Sequence, residues 1–139
     1  MEPLMAADAV DILAFGPHPD DIEIGIGATM AKHAALGHRV GLCDLTAGEM
    51  GSNGTVEERL AEADAARAVL GSAWRVNLRL PDRAIGSSPD HQRAVAGLVR
   101  CAHADVLRPR HFAAVHEQLA AAAHAAMHGT DERLAGQER

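Results

Sequence analysis

The sequence predicts an α/β fold, a small parallel sheet flanked by helices with Rossmann-like character. Three observations carry that expectation. Short apolar runs alternate with segments of helical spacing, as strand–helix repeats of a parallel sheet do. The helical segments end at glycines, Gly37 and Gly71, which suit helix C-termini. At 139 residues the chain holds one domain with a real core, and no linker or internal repeat divides it.

The first strand is expected over residues 10–16, a run bounded by Gly16 and Pro17. Residues 24–36 have helical spacing and stop at Gly37; residues 39–45 form the second apolar run. Residues 46–55 are rich in Gly, Ser, Thr and Asn and read as a loop. Thr55 followed by Glu58 makes a capping box for a helix over 56–70, with Leu60, Ala63, Ala66 and Leu70 on its apolar side. A third strand follows over 74–78 and leaves through Leu80-Pro81-Asp82-Arg83. Pro89 suits the first turn of a helix over 89–102, ahead of a fourth strand over 104–107. A last helix is expected over 113–128. Residues 1–10 read as an N-terminal tail, 11–128 as the domain, and 129–139 as a polar C-terminal tail.

Composition narrows the function classes. The formal net charge is -6 and no Lys/Arg cluster tracks a phosphate backbone, so nucleic acid is not an expected partner. No apolar run approaches the ~20 residues of a membrane span, and the N-terminus lacks signal-peptide character. Cys43 and Cys101 both fall in segments read as buried, which suits a reduced, cytoplasmic protein without a disulfide.

The chemistry concentrates at His18-Pro19-Asp20-Asp21, directly after the first strand. Open α/β sheets place their sites beyond the carboxyl ends of strands. One imidazole and two carboxylates there supply metal ligands and a general base; the plain alternative is a turn and helix cap. Arg59, three residues before Glu62, suits a solvated partner for it. The remaining histidines read as surface groups. His33 and His38 flank a helix end, His91 and His103 have no partner pattern, and His116, His124 and His128 lie along the last helix. Gly48, Gly51 and Gly54 lack phosphate-loop spacing.

From Asp11 to Leu107 the chain resembles the LmbE-like (PIG-L) N-deacetylases. The resembling stretches are His18-Pro19-Asp20-Asp21, residues 37–46, residues 52–59 and Asn77-Leu78-Arg79-Leu80-Pro81-Asp82-Arg83. It looks most like the bacillithiol-biosynthesis deacetylases, which deacetylate N-acetylglucosaminyl malate. The resemblance implies one zinc ion held by His18 and Asp21, Asp20 as general base, Arg59 as substrate holder, and a small amino-sugar conjugate as substrate. The family's third ligand comes from an Arg-His-Pro-Asp-His motif after the fourth strand. Here Arg108-Pro109-Arg110-His111 stands in a compressed version, with His111 the candidate third ligand. The preceding His is absent, and the oxyanion donor it supplies in the family is often worth ~10²–10³ in rate. The chain is also shorter than family members usually are. Two readings follow: an amide hydrolase, or a shortened, catalytically weak or inactive member acting at most as a binding or homo-oligomerising module.

Overall fold

The structure, a computed structural model, describes residues 8–86, 88–102 and 105–107. Among these, four parallel strands form one sheet in the order β3-β2-β1-β4. The strands are β1 (Ile12–Gly16), β2 (Val40–Asp44), β3 (Trp74–Asn77) and β4 (Asp105–Leu107). Three helices alternate with them: α1 (Asp21–Ala35), α2 (Val56–Leu70) and α3 (Pro89–Ala102). The expected α/β class and every expected element up to Leu107 are present. The expected last helix and both tails lie outside the described residues, apart from residues 8–10.

The period of two along β1 sorts its side chains into two cores. Leu13 and Phe15 join Cys43, Leu45, Val95, Leu98, Val99 and Ala102 on one face, so α3 covers that face. Ile12 and Ala14 join Ile22, Met30, Val40 and Leu42 on the other, under α1, with Leu70 of α2 packed at the margin. Both faces of β1 and β2 are buried, which explains why these strands read as unbroken apolar runs. Each fully buried Leu, such as Leu13, Leu42 or Leu98, contributes about 1.5–3 kcal/mol of transfer free energy.

Local signals set the helix ends. The Thr55 Oγ1 accepts from the Glu58 amide at 3.2 Å, and Glu58 Oε2 accepts from the Thr55 amide at 2.8 Å, completing the expected capping box. Gly71 ends α2 in the left-handed conformation, φ 70°. Helix α1 starts at Asp21, where the carboxylates of Asp21 and Glu23 complement the positive helix N-terminus. One expectation is corrected. Cys101 is exposed, because the buried stripe of α3 runs through Val95, Leu98, Val99 and Ala102 and position 101 falls off it. Cys43 is buried as expected.

The order β3-β2-β1-β4 steps outward from β1 and then returns to its other side. The chain thus reverses direction across the sheet at β1, and the crevice beyond β1's carboxyl end is the switch point where open sheets hold ligands. His18-Pro19-Asp20-Asp21 occupies that place.

Gly41 stands in register with Trp74, and a Cβ there would lie 2.5 Å from the indole ring. The sheet edge accepts the indole only because position 41 has no side chain. Gly41→Ala is expected to lower stability by about 1–3 kcal/mol, read from the midpoint of urea unfolding, with an unchanged far-ultraviolet spectrum.

Candidate active site

The turn after β1 brings two of the expected ligands together. The His18 amide donates to Asp21 Oδ2 at 2.9 Å, and His18 Nδ1 lies 3.0 Å from the same oxygen. The other ring nitrogen, Nε2, lies 2.9 Å from Asp82 Oδ1. Burial pulls the His18 pKa down, but hydrogen bonds to Asp82 and Asp21 raise it more, and the net direction is up.

This arrangement has one acceptor more than a neutral imidazole can satisfy. A neutral ring carries one N–H, whereas His18 faces a carboxylate from each nitrogen. Satisfying both contacts takes a second proton on the ring or a cation shared with one of the carboxylates. That makes His18 and Asp21 a fitting pair of metal donors. Among the described residues no third His, Cys, Asp or Glu joins them in a metal-binding group. His111 lies outside the described residues.

Asp20 takes a different direction from its neighbours. Its φ of 141° is unusual for a residue with a side chain, a strain of about 1–3 kcal/mol that persists only when the surroundings impose it. Its carboxylate is exposed and lies 3.6 Å from Arg59 Nη2. Desolvation and the neighbouring Asp21 push the Asp20 pKa up, against the pull of Arg59 and His18.

Arg59 turns toward this cluster, not toward Glu62. Its Nη1 donates to the Gly48 carbonyl at 3.2 Å and its Nη2 to the Pro19 carbonyl at 3.5 Å. Gly48 is in the left-handed region, φ 65°, and a Cβ there would collide with the guanidinium. The glycines of the 46–55 loop thus make room for an arginine. Read along the chain, Gly48 is one loop glycine among several; its purpose is visible only once Arg59 folds against it.

Two groups without an assigned role in the sequence complete the site. Asp82 follows β3, and its side chain is 7% exposed. Its position in Leu80-Pro81-Asp82, just past the carboxyl end of a parallel strand, is the signal that points to it. Beneath the turn lies a charge network: Arg75 of β3 donates to both oxygens of Asp44 at 2.7 Å, to the Ala63 carbonyl at 3.1 Å, and to Glu23. The Arg75 and Asp44 side chains are 5% and 1% exposed.

A cleft of about 440 Å³ opens at the cluster, lined by His18, Arg59, Asp82, Arg83, Met50 and Ile85 among others. A smaller one of about 250 Å³ lies between α1 and α2 beside Asp20 and Arg59. The other described histidines stand apart. His33 and His38 pair at the far end of α1, with ring centroids 5.3 Å apart. His91 is half-buried and accepts from the Gly86 amide at 3.2 Å, so it is not the free surface group expected.

Burial pushes the Asp44 pKa to about 6, the Arg75 hydrogen bonds notwithstanding. The folded protein therefore keeps the Asp44 proton up to about pH 6, while an unfolded chain releases it near 3.8. Between those values the folded state binds more protons, and Asp44 makes stability fall as pH rises. Urea unfolding across this window is expected to show that falling component in the wild type and to lose it in Asp44→Asn.

Comparison with known proteins agrees with this geometry. The chain is 38% identical to the uncharacterized deacetylase YaiS of Escherichia coli K12 across 51% of its own length and 38% of that protein. It is 43% identical to the 1D-myo-inositol 2-acetamido-2-deoxy-alpha-D-glucopyranoside deacetylase of a Nocardioides species, across 43% of the chain and 24% of the relative. The chain thus spans well under half the length of these curated relatives. Among solved structures, the conserved protein TT1542 of Thermus thermophilus superposes with a TM-score of 0.75 at 40% identity, over 86% of this chain and 56% of that one. The N,N'-diacetylchitobiose deacetylase of Pyrococcus horikoshii does so with a TM-score of 0.69 at 25% identity, over 86% and 49%. The family model described as PIG-L, GlcNAc-PI de-N-acetylase, matches residues 13–130, and the chain belongs to that family.

Proposed function

We propose that this chain is a zinc-dependent N-deacetylase acting on an N-acetylglucosamine conjugate, with N-acetylglucosaminyl malate of bacillithiol biosynthesis the leading substrate. The observation that carries the reading is His18 between two carboxylates at the switch point of the sheet, with Nδ1 3.0 Å from Asp21. Family membership and two relatives named as deacetylases of N-acetylated sugars support the reaction class.

In this reading His18 and Asp21 hold the metal, with His111 as the third ligand. Zinc, when bound, supplies Lewis-acid polarisation of an amide carbonyl and acidifies a water molecule. Asp20 is the general base: its exposed carboxylate takes the proton of the attacking water and returns it to the departing amine. Its raised pKa suits that traffic. Arg59 holds the Pro19 and Gly48 carbonyls on either side of the cluster and keeps positive charge beside Asp20. That charge suits a substrate carboxylate such as that of malate. The cleft of about 440 Å³ has the size of a small-ligand site. Cys43 and Cys101 are free thiols, as a cytoplasmic setting favours.

Calorimetric titration of zinc into the metal-stripped chain is expected to give one tight site, lost in His18→Ala. Asp20→Asn is expected to keep zinc binding and lose about 10²–10⁴-fold in amine release from N-acetylglucosaminyl malate. A folded chain that takes up no zinc, or an Asp20→Asn variant as active as wild type, would overturn the proposal.

A further inference from the structure

Besides Asp20, two described residues with side chains hold a positive φ, and both are arginines of one loop. Arg79 (φ 50°) and Arg83 (φ 60°) lie just beyond the carboxyl end of β3. Such a conformation is costly for a residue with a Cβ and persists where its neighbours impose it. Here a preceding side chain does so in each case. Asn77 Oδ1 accepts from the Arg79 amide, and Asp82 Oδ1 from the Arg83 amide, both at 2.8 Å. Asp82 is itself held to the 46–55 loop, accepting from the Met50 amide at 3.3 Å and donating its own amide to Glu49 at 2.7 Å. The place of Arg83 is thus fixed from two loops.

The two arginines differ in what they face. Arg83 lines the cleft of about 440 Å³ with His18 and Arg59, whereas Arg79 lines neither cleft. The other cation of the cleft is largely occupied. Arg59 is 17% exposed, donates to the Gly48 and Pro19 carbonyls, and pairs with Asp20. Arg83 is exposed, and among the described residues its guanidinium makes one hydrogen bond, from Nη2 to the Met50 carbonyl at 3.4 Å. The adjacent carboxylate, Asp82, is turned to His18 and the loop amides instead. Arg59 gives the cleft charge; Arg83 gives it donors that a ligand can reach.

We infer that Arg83 is a specificity residue that binds an anionic group carried by the substrate beside its amino sugar. The inference rests on the proposed function for the amino sugar and gives the anion its partner. A guanidinium fork accommodates a carboxylate or a phosphate in two parallel hydrogen bonds, and a neutral sugar substituent offers it no such match.

Deacetylated sugars, which the chain cannot hydrolyse, separate recognition from chemistry. In calorimetric titration of the full chain, glucosaminyl malate is expected to bind about 10–100-fold tighter than methyl glucosaminide. Glucosamine 1-phosphate forms a second arm, with a phosphate in place of carboxylates. Arg83→Gln is expected to lose the preference for the anion, and Arg79→Gln to keep it. Arg83→Asn, whose side chain tolerates left-handed backbone, carries the test if the glutamine variant does not fold. A wild type that binds the three sugars alike or not at all overturns the inference. So does a preference that survives in Arg83→Gln or vanishes equally in Arg79→Gln. If the phosphate binds tighter than the malate and loses that advantage in Arg83→Gln, Arg83 stands and malate ceases to be the leading substrate. If the preference depends on Arg83 but no amine is released from the acetylated sugars, Arg83 stands and the deacetylase reading fails.

Discussion

The site depends on a buried guanidinium. Arg75 extends from β3 beneath the turn and joins Asp44 at the carboxyl end of β2, Glu23 in the first turn of α1, and a carbonyl of α2. Taking such charges out of water is costly, and only a full set of hydrogen bonds offsets it. Arg75 obtains that set by drawing four elements toward one point. The N-terminal turn of α1, which carries Asp20 and Asp21, is thereby fixed to the sheet by charge as well as by the apolar contacts of Ile22 and Met30. A hydrophobic plug of equal volume would give similar stability with less definition of where the turn sits.

From that anchoring the geometry of the cluster follows. With α1 held, Asp21 is brought to His18 Nδ1 and Asp20 is left in a backbone conformation that turns its carboxylate toward Arg59. Arg59 in turn reaches the turn only across Gly48, whose missing side chain leaves room for it. Four carboxylates, Asp20, Asp21, Glu23 and Asp44, gather near one strand end, balanced by Arg59 and Arg75. The carboxylates outnumber the two guanidinium groups, and His18 adds a further hydrogen-bonding partner for Asp21.

Local features are legible in the sequence. The alternation of apolar runs with helical spacing marks all four strands, and Thr55 with Glu58 marks the start of α2 to the residue. His18, Asp20 and Asp21 stand out because they are neighbours in the chain. Asp82 and Arg75 do not, because their partners lie far away: Asp82 meets His18 across 64 residues, and Arg75 meets Glu23 across 52. Arg75 lies on the edge strand β3, and only the pairing of β3 with β2 brings its guanidinium to Asp44. The exposure of Cys101 reflects a phase along α3 that its Ala- and Val-rich sequence leaves ambiguous.

The most direct measurement is amide hydrogen exchange of the turn in Arg75→Met. In the wild type the His18 amide donates to Asp21, the Asp21 amide to the His18 carbonyl, and the Ile24 amide to the Asp20 carbonyl. If the buried charges hold the turn, these three amides lose far more protection than those of Leu13 and Leu42 in the central strands. Protection that falls equally in the turn and the strands, or does not fall, would mean that Arg75 merely adds stability and that the turn is held by packing alone.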